Sequence, residues 1–279
     1  MKLYMLWDME GVSGLFTREH VWHWEEGVRP QIAEEGRQLL INDINSASQA
    51  ALEAGADELI VSDTHSGGNN IRLESMLDDP RITHHASNFI KQSDIRRWMP
   101  DMDETIDGLL LLGHHAKAGT LNAFLPHTWS GNWQDVQING QSVGEVGLEA
   151  CFAAHWNIPL ILVQGDDATQ NEIKNQYPWV VTACVKQAQN NDLCTGPTAK
   201  TGRQITATKI REAITKLRDG LTQPYKPKLP LTITITMTTP EAVEKASANP
   251  NVNRIDDITI KSRADRHCDV LKWILGLGE

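Results

Sequence analysis

The chain alternates short apolar runs with longer amphipathic stretches. It opens with the apolar run KLYMLW, and later runs of the same kind are ELIVSD, DGLLLLG, IPLILVQ and WVVTACV. Between the first two runs, apolar side chains recur at helical spacing over residues 31–54, which predicts a helix that stops at Gly55. VGEVGLEACFAAHW predicts a helix between the third and fourth runs. This alternation predicts an α/β fold with a mostly parallel sheet flanked by helices.

The pattern changes near residue 223, where QPYKPKLP holds three prolines in eight residues. A helix over residues 203–220 is predicted before it. After it, LTITITMT alternates apolar residues with Thr, which is typical of a sheet with one solvated face. A helix, the strand DITIKS and a final helix to Leu277 complete the tail. We therefore predict a larger α/β domain over residues 1–202 and a smaller C-terminal α+β domain over residues 203–279, packed on the first.

Composition and charge narrow the classes of function. The chain has 36 Asp and Glu against 26 Lys and Arg, a net charge of −10, which is the wrong sign for binding a phosphate backbone. We therefore expect no nucleic-acid partner. No apolar run reaches the roughly 18 residues that span a bilayer, and no signal-peptide pattern is present. The four cysteines are scattered without C-x-x-C spacing. We expect a reduced, cytoplasmic protein that does not enter a membrane.

Carboxylate and imidazole side chains follow three of the predicted strands. They are Asp8 and Glu10 after the first run, Asp63 and His65 after the second, and His114 and His115 after the third. Residues two apart on a strand share a face, so Asp8 and Glu10 are predicted side by side, which is costly unless positive charge lies between them. Sites in open α/β sheets form at the carboxyl ends of strands, and zinc accepts these ligand types. Each end alone is also compatible with a solvated loop, but together they favour a metal centre.

Several motifs carry a resemblance to a known family. MKLYMLWDMEGVSGL, SDTHS, LGHHAKA, LPHTW, NGQSVGEVGLEA and LVQGDDA resemble, in this order from Met1 to about Thr201, the D-aminopeptidase (DppA-like) family of zinc metallopeptidases. The resemblance makes His127 the catalytic residue. It implies two zinc ions per chain, held by Asp8, Glu10, His65, His115 and Glu145.

The same resemblance implies an activity and an assembly. It implies a zinc-dependent aminopeptidase that acts on short peptides with an N-terminal D-amino acid, through water activated by two metals. It also implies a ring-shaped homo-oligomer, a decamer, that encloses its active sites. The catalytic, metal-binding part is then the domain predicted over residues 1–202.

Some roles stay open within this picture. One carboxylate must bridge the two metals, and we assign Asp8 to this role. His114 would point away from His115 on an extended backbone and is left out of the metal shell, while Glu149 is a weaker candidate than Glu145. His127 is either a general base or a nucleophile, and two-metal chemistry favours proton transfer. The pair at 166–167 is a turn with a helix cap, a support for a metal ligand, or a contact for the substrate amine.

Two segments depart from the family pattern, and other functions remain possible. FTREHVWHWEEG carries Trp22 and Trp24, and SGNWQDVQ carries Trp133 with Trp129 nearby. Tryptophans around a site can form substrate walls, which suggests a larger or more apolar substrate than small D-alanyl peptides. The alternatives are hydrolysis of another modified or cyclic amide, hydrolysis of a phosphoester, and metal-dependent binding without catalysis. The lack of an obvious Arg clamp argues against the phosphoester.

Overall fold

The structure is a computed structural model and describes residues 1–86 and 98–272. The strands are β1 (Lys2–Trp7), β2 (Glu58–Asp63), β3 (Ile82–His85), β4 (Gly108–Leu112), β5 (Trp133–Ile138), β6 (Gln141–Ser142), β7 (Leu160–Asp166), β8 (Val181–Asn190), β9 (Leu193–Thr195), β10 (Leu231–Met237), β11 (Val252–Arg254) and β12 (Thr259–Ala264). The α-helices are α1 (Arg18–Val21), α2 (Pro30–Glu53), α3 (Glu145–Ala153), α4 (Asp167–Gln176), α5 (Ala199–Arg218) and α6 (Pro240–Ala246). Short 3₁₀ helices include His65–Gly67, Leu73–Ser75, Ala154–Trp156 and His267–Leu271.

The strands form two sheets of different kinds. The larger sheet has the order β3-β2-β1-β4-β7-β8-β9, and every neighbouring pair is parallel except β8 with β9. The smaller sheet has the order β11-β12-β10-β5-β6 and is antiparallel. The predicted α/β class, with a mostly parallel sheet flanked by helices and a smaller α+β part, is confirmed.

The alternation of side chains along β1 separates two layers of core. Leu3, Met5 and Trp7 belong to a buried cluster that includes side chains of α2 and α5. Tyr4 and Leu6 point the other way, into a cluster built with α3 and the smaller sheet. Each such burial stabilises the fold by about 1.5–3 kcal/mol. The larger sheet is therefore covered on both faces, and its ligand-bearing strand ends are fixed by packing from both sides.

The helices follow their predicted positions closely. α2 begins with Pro30 in its first turn and ends at Glu53, one residue from the predicted end at 54. α5 begins at Ala199, four residues before the predicted start, because Thr198 caps it by accepting a hydrogen bond from the amide N–H of Thr201. Within the described ranges, no helix has the length and apolar character needed to cross a membrane.

The smaller sheet joins segments that are distant in sequence. In β10 the residues Leu231, Ile233, Ile235 and Met237 are buried and the threonines between them are half-buried, as the alternation predicts. β10 also pairs with β5, so residues 133–142 belong to this sheet as well. The division at 202/203 stays a prediction, and the structure adds that α5 runs through that point. Of the predicted final helix, the stretch from 273 to Leu277 lies outside the described residues.

Candidate metal centre

The first two candidate ligands lie in a turn, not on a strand. β1 ends at Trp7, and the backbone turns immediately after it, with the amide of Val12 donating to the carbonyl of Met9 over 3.1 Å. The prediction that Asp8 and Glu10 share one face of the strand is therefore wrong. The turn brings the two carboxylates together instead, and both are buried.

Glycines let this turn lie directly against the loop that follows β4. The amide of Gly11 donates to the carbonyl of Gly113 over 2.7 Å. A Cβ atom on Gly11 would collide with the carbonyl of His114, and one on Gly113 would collide with the carbonyl of Asp8. Gly113 also has φ +73°, which favours glycine. This backbone contact places Asp8 next to His115.

Asp8, Glu10 and His65 form the first ligand group. Nδ1 of His65 lies 2.6 Å from Oδ1 of Asp8 and 3.3 Å from Oε2 of Glu10. The other oxygen of Glu10, Oε1, accepts a hydrogen bond from the indole N–H of Trp22 over 2.9 Å. Glu10 therefore has one oxygen held by the protein and one facing His65.

The loop that carries His65 is held by Asn70, a residue that the sequence analysis did not single out. Its side-chain amide donates to the carbonyl of His65 over 2.7 Å and to Oδ1 of Asp63 over 3.1 Å. Its backbone amide donates to Oδ2 of Asp63 over 2.7 Å. Burial raises the pKa of Asp63 to about 6. Asp63 thus supports the loop and lies outside the ligand group.

His115, His127 and Glu145 form the second ligand group. Nε2 of His115 lies 3.3 Å from Oε1 of Glu145, and Nε2 of His127 lies 3.7 Å from the same oxygen. The two imidazole rings stack with their centroids 3.9 Å apart. Glu145 is the first residue of α3, and its Oε1 accepts a hydrogen bond from the amide of Trp129 over 2.7 Å. In each group the ligand atoms lie within 4.8 Å of one another.

Asp8 connects the two groups. Its Oδ1 lies 2.6 Å from Nδ1 of His65 in the first group, and its Oδ2 lies 3.4 Å from Nε2 of His115 in the second. The structure thus brings together all six residues singled out for the site, with one carboxylate placed between two sets of ligand atoms.

The hydrogen bonds of the three histidines suit metal ligation. In each ring one nitrogen lies near a backbone carbonyl: Nε2 of His65 is 3.1 Å from Val21 O, and Nδ1 of His115 is 3.0 Å from Ala116 O. Nδ1 of His127 lies 2.9 Å from the carbonyl of Leu125. A neutral ring that donates there turns the lone pair of its other nitrogen toward the carboxylates, and such pairing is what orients ligating histidines in metal sites.

Two buried atoms at the centre show that a cation fits. Nε2 of His115 and Oε2 of Glu10 have no hydrogen-bond partner among the residues that the structure describes. Both face other ligand atoms across the site. A nitrogen lone pair and carboxylate oxygens that face one another need positive charge between them, and a set of imidazoles and carboxylates is a donor set that zinc accepts.

The protonation of the site leads to the same conclusion. Burial alone would lower the pKa of His65 and His115, but Glu10 and Asp8 beside the first, and Glu145 beside the second, raise both well above the usual value. Burial would raise the pKa of Glu145, yet His115 lowers it to about 2. The carboxylates thus favour positive charge at the imidazoles. A bound metal would supply that positive charge in place of protons, so its binding would release protons.

The residues left out of the ligand set have partners of their own. Nε2 of His114 lies 2.7 Å from Oε2 of Glu149, and the indole of Trp98 donates to Oε1 of Glu149 over 3.0 Å. Glu149 is therefore paired with His114 and not directed at the metal groups. Asp166 caps α4 by accepting from the amide of Thr169 over 2.7 Å, so the helix-cap alternative is the one that the structure shows.

Two buried charged residues, neither of them singled out from the sequence, hydrogen-bond to the backbone of the turn that carries Asp8 and Glu10. Nζ of Lys186 donates to the carbonyl of Glu10 over 2.7 Å and to that of Leu15. Asp43, in the middle of α2, accepts from the amide of Ser13 over 2.9 Å. Burial lowers the pKa of Lys186 to about 8 and raises that of Asp43 to about 6. A charged residue inside or beside an apolar pattern was the available signal for each.

A cavity of about 510 Å³ opens over both ligand groups. Its lining includes Asp8, Glu10, His65, His127 and Glu145, and four tryptophans: Trp22, Trp24, Trp98 and Trp129. Tryptophan walls were expected here from the sequence. Trp133, named with them, is a residue of β5 and is not part of the lining.

The chain is similar to known D-aminopeptidases over most of its length. The profile of peptidase family M55, D-aminopeptidase, matches residues 1–275, which confirms the resemblance. A D-aminopeptidase of Bacillus subtilis (strain 168) is 34% identical over 210 residues, 74% of this chain and 71% of the relative. A solved structure of the Zn-dependent D-aminopeptidase DppA from Bacillus subtilis, described as a self-compartmentalizing protease, aligns with a TM-score of 0.88 and 26% identity, over 99% of this chain and 96% of that one. The present chain therefore belongs to the D-aminopeptidase family and is a hydrolase of peptide bonds.

Proposed function

We propose that this protein is a zinc-dependent aminopeptidase that removes an N-terminal D-amino acid from short peptides by means of two zinc ions. The observation that carries the dinuclear assignment is the position of Asp8, which directs one carboxylate oxygen to each ligand group. A single-metal site would need no residue of this kind.

Five residues would hold the two ions. Asp8, Glu10 and His65 serve the first position, and Asp8, His115 and Glu145 serve the second. Glu10 would use Oε2, since Trp22 occupies Oε1. Three protein ligands at each position leave room for water and substrate, as a catalytic site requires. When bound, a metal pair lowers the pKa of water and polarises a carbonyl.

We assign His127 to proton transfer and leave it out of the metal shell, although its ring nitrogen lies within reach of the second ligand group. Its side chain is 20% exposed, whereas that of Glu145, which it faces, is 7% exposed. Its Nδ1 is held by the carbonyl of Leu125, and its ring lies between the face of His115 and the edge of Trp22. Nε2 is therefore the atom that takes a proton from the attacking water and delivers one to the departing amine.

The choice of zinc and the proposed assembly are supported by the Bacillus subtilis structure. That protein is described as Zn-dependent and self-compartmentalizing, and it matches this chain over nearly its whole length. We propose the same metal here, and a ring-shaped homo-oligomer, a decamer, that encloses the active sites. The cytoplasmic location and the lack of a nucleic-acid partner stay predictions.

An amine-release assay tests this function. The protein reconstituted with zinc should hydrolyse D-alanyl dipeptides faster than their L counterparts, and removal of zinc by a chelator should abolish the reaction. His127→Ala should keep its zinc and lose about 10²–10⁴ in turnover. No turnover of any peptide by the zinc-loaded protein would instead favour metal-dependent binding without catalysis. Loss of zinc in the variant would make His127 a ligand.

A further inference from the structure

A pair of tryptophans lies beside the first ligand group. The rings of Trp22 and Trp24 stack with their centroids 6.1 Å apart and an interplanar angle of 25°. The Trp24 ring lies 5.4 Å from that of His65, and 53% of Trp24 is exposed. A large aromatic ring left in contact with solvent at the mouth of a cavity offers apolar surface to whatever enters.

A second pair lies beside the second ligand group. The rings of Trp98 and Trp129 are 4.1 Å apart at an angle of 38°. The Trp98 indole donates to Glu149, and the amide of Trp129 donates to Glu145. Trp129 has φ +62°, a left-handed conformation that is strained for a bulky residue. Such strain is typical of functional sites, and here it accompanies a ring directed at the cavity.

The charges of the cavity are already engaged. Among the described residues that line it, none is Lys or Arg. Glu25, the carboxylate outside the two ligand groups, is paired with the guanidinium of Arg18 over 2.6 Å. The same guanidinium lies 4.0 Å from the centre of the Trp22 ring. A charged substrate side chain would therefore find no free counter-charge among the lining residues that the structure describes, and it would lose its hydration.

We propose that the substrates are short peptides with large, uncharged, apolar or aromatic side chains on both sides of the scissile bond. This inference rests on the proposed function and names its substrate class. A scissile amide held over Asp8, which joins the two groups, would have Trp24 near His65 of the first group and Trp129 near Glu145 of the second. The cavity of about 510 Å³ lies in the range of about 300–1,000 Å³ found for sites of drug-sized ligands, which is more space than an alanyl dipeptide fills.

A panel of four neutral dipeptides and one charged dipeptide tests the proposal with the zinc-loaded protein. We expect kcat/KM for D-Phe-D-Ala and for D-Ala-D-Phe to exceed that for D-Ala-D-Ala by about tenfold or more each, and D-Phe-D-Phe to be the best substrate. Burial of one aromatic side chain against aromatic walls accounts for a factor of this size. A charged analogue, D-Glu-D-Ala, should fall below D-Ala-D-Ala.

Variants of Trp24 and Trp129, one from each tryptophan pair, test which side chains produce the preference for Phe over Ala. Trp24→Ala should lower the Phe-over-Ala preference about tenfold at one position of the dipeptide, and Trp129→Ala should lower it at the other. Trp24→Phe is the matched control, because it keeps an aromatic surface and should keep the preference. Zinc content, measured in all three, should stay at the wild-type value.

The results of these assays distinguish a failure of the proposed substrate class from a failure of the proposed aminopeptidase activity. The proposed substrate class is wrong if D-Ala-D-Ala is the best substrate, or if Trp24→Ala and Trp129→Ala both keep the full preference for Phe over Ala. The aminopeptidase assignment stands in either case. If the zinc-loaded protein releases amine from none of the four neutral dipeptides, the proposed function fails and the substrate class fails with it.

Discussion

The indole N–H of Trp22 offers a test of the ligand assignment by the removal of a single hydrogen bond. It donates to Oε1 of Glu10 over 2.9 Å, and Glu10 is 1% exposed. Trp22→Phe keeps an aromatic ring at this position but removes the donor. The carboxylate then loses the bond that leaves Oε2 directed toward His65, and water has little access to replace it.

The expected loss of zinc affinity follows from the strength of the hydrogen bond between Trp22 and the Glu10 carboxylate. A hydrogen bond to a charged group contributes about 1.5–3 kcal/mol. At 1.36 kcal/mol per factor of ten, this is roughly a 10- to 150-fold change in an equilibrium constant. Loss of a residue that orients a metal ligand costs about 10- to 100-fold in metal affinity. We therefore expect about 10- to 100-fold weaker zinc binding at the position served by Glu10 and His65, with the other position changed by less than about threefold.

The assay is a zinc titration of the metal-free protein in competition with a chromophoric chelator. Trp24→Phe is the control, since the Trp24 indole makes no hydrogen bond within residues 1–86 and 98–272 and its ring belongs to the same pair. It should bind both ions as the wild type does. Equal affinities at both positions in Trp22→Phe and wild type would show that Glu10 is not a ligand that Trp22 orients.

Three further predictions concern the residues around the centre. Asp8→Asn should lose both zinc ions, whereas Glu10→Gln should keep one, since Glu10 serves one group. Zinc titration with elemental analysis measures the number of bound ions, and two tightly bound ions in Asp8→Asn would show that Asp8 is not the bridge. Lys186→Met leaves two buried carbonyls without their hydrogen-bond donor, which costs about 1–3 kcal/mol each; removal of the buried charge offsets part of this cost. We expect a lower free energy of unfolding in urea and weaker zinc binding. A variant with the zinc affinity of the wild type would show that Lys186 does not position the turn that carries Asp8 and Glu10. Burial raises the pKa of Asp43 from 3.8 to about 6, so its contribution to stability is fully present below about pH 3.8 and is lost as pH rises through 6. The difference in unfolding free energy between the metal-free wild type and Asp43→Asn should therefore fall by about 2 kcal/mol from pH 4 to pH 7, and a difference independent of pH would contradict this.

Much of the fold could be predicted because its main elements have local signals. β1, β2, β4 and β7 are continuous apolar runs, and α2 carries an apolar stripe long enough to define both of its ends. β5 was missed because its sequence, WQDVQI, is half polar and its partner β10 lies about 100 residues away. No periodicity within residues 133–138 can reveal a pairing at that distance.

The candidate site was predictable only in part. Ligand types at strand ends, with the family resemblance, were enough to name six residues that the structure brings together, though their individual roles stay predictions. The contacts that support them could not be read from the sequence. Lys186 hydrogen-bonds to the carbonyl of Glu10, which lies 176 positions away in sequence. The turn that carries Asp8 can pack against Gly113 only because glycine has no side chain. Both are properties of the packed chain.

Two ligand groups joined by Asp8 should hold two metal ions in one site. Elemental analysis of the wild-type protein, after removal of metal and reconstitution with excess zinc followed by gel filtration, measures this. We expect two zinc ions per chain. A value of one ion or fewer per chain, from protein that is folded and monodisperse, would contradict it.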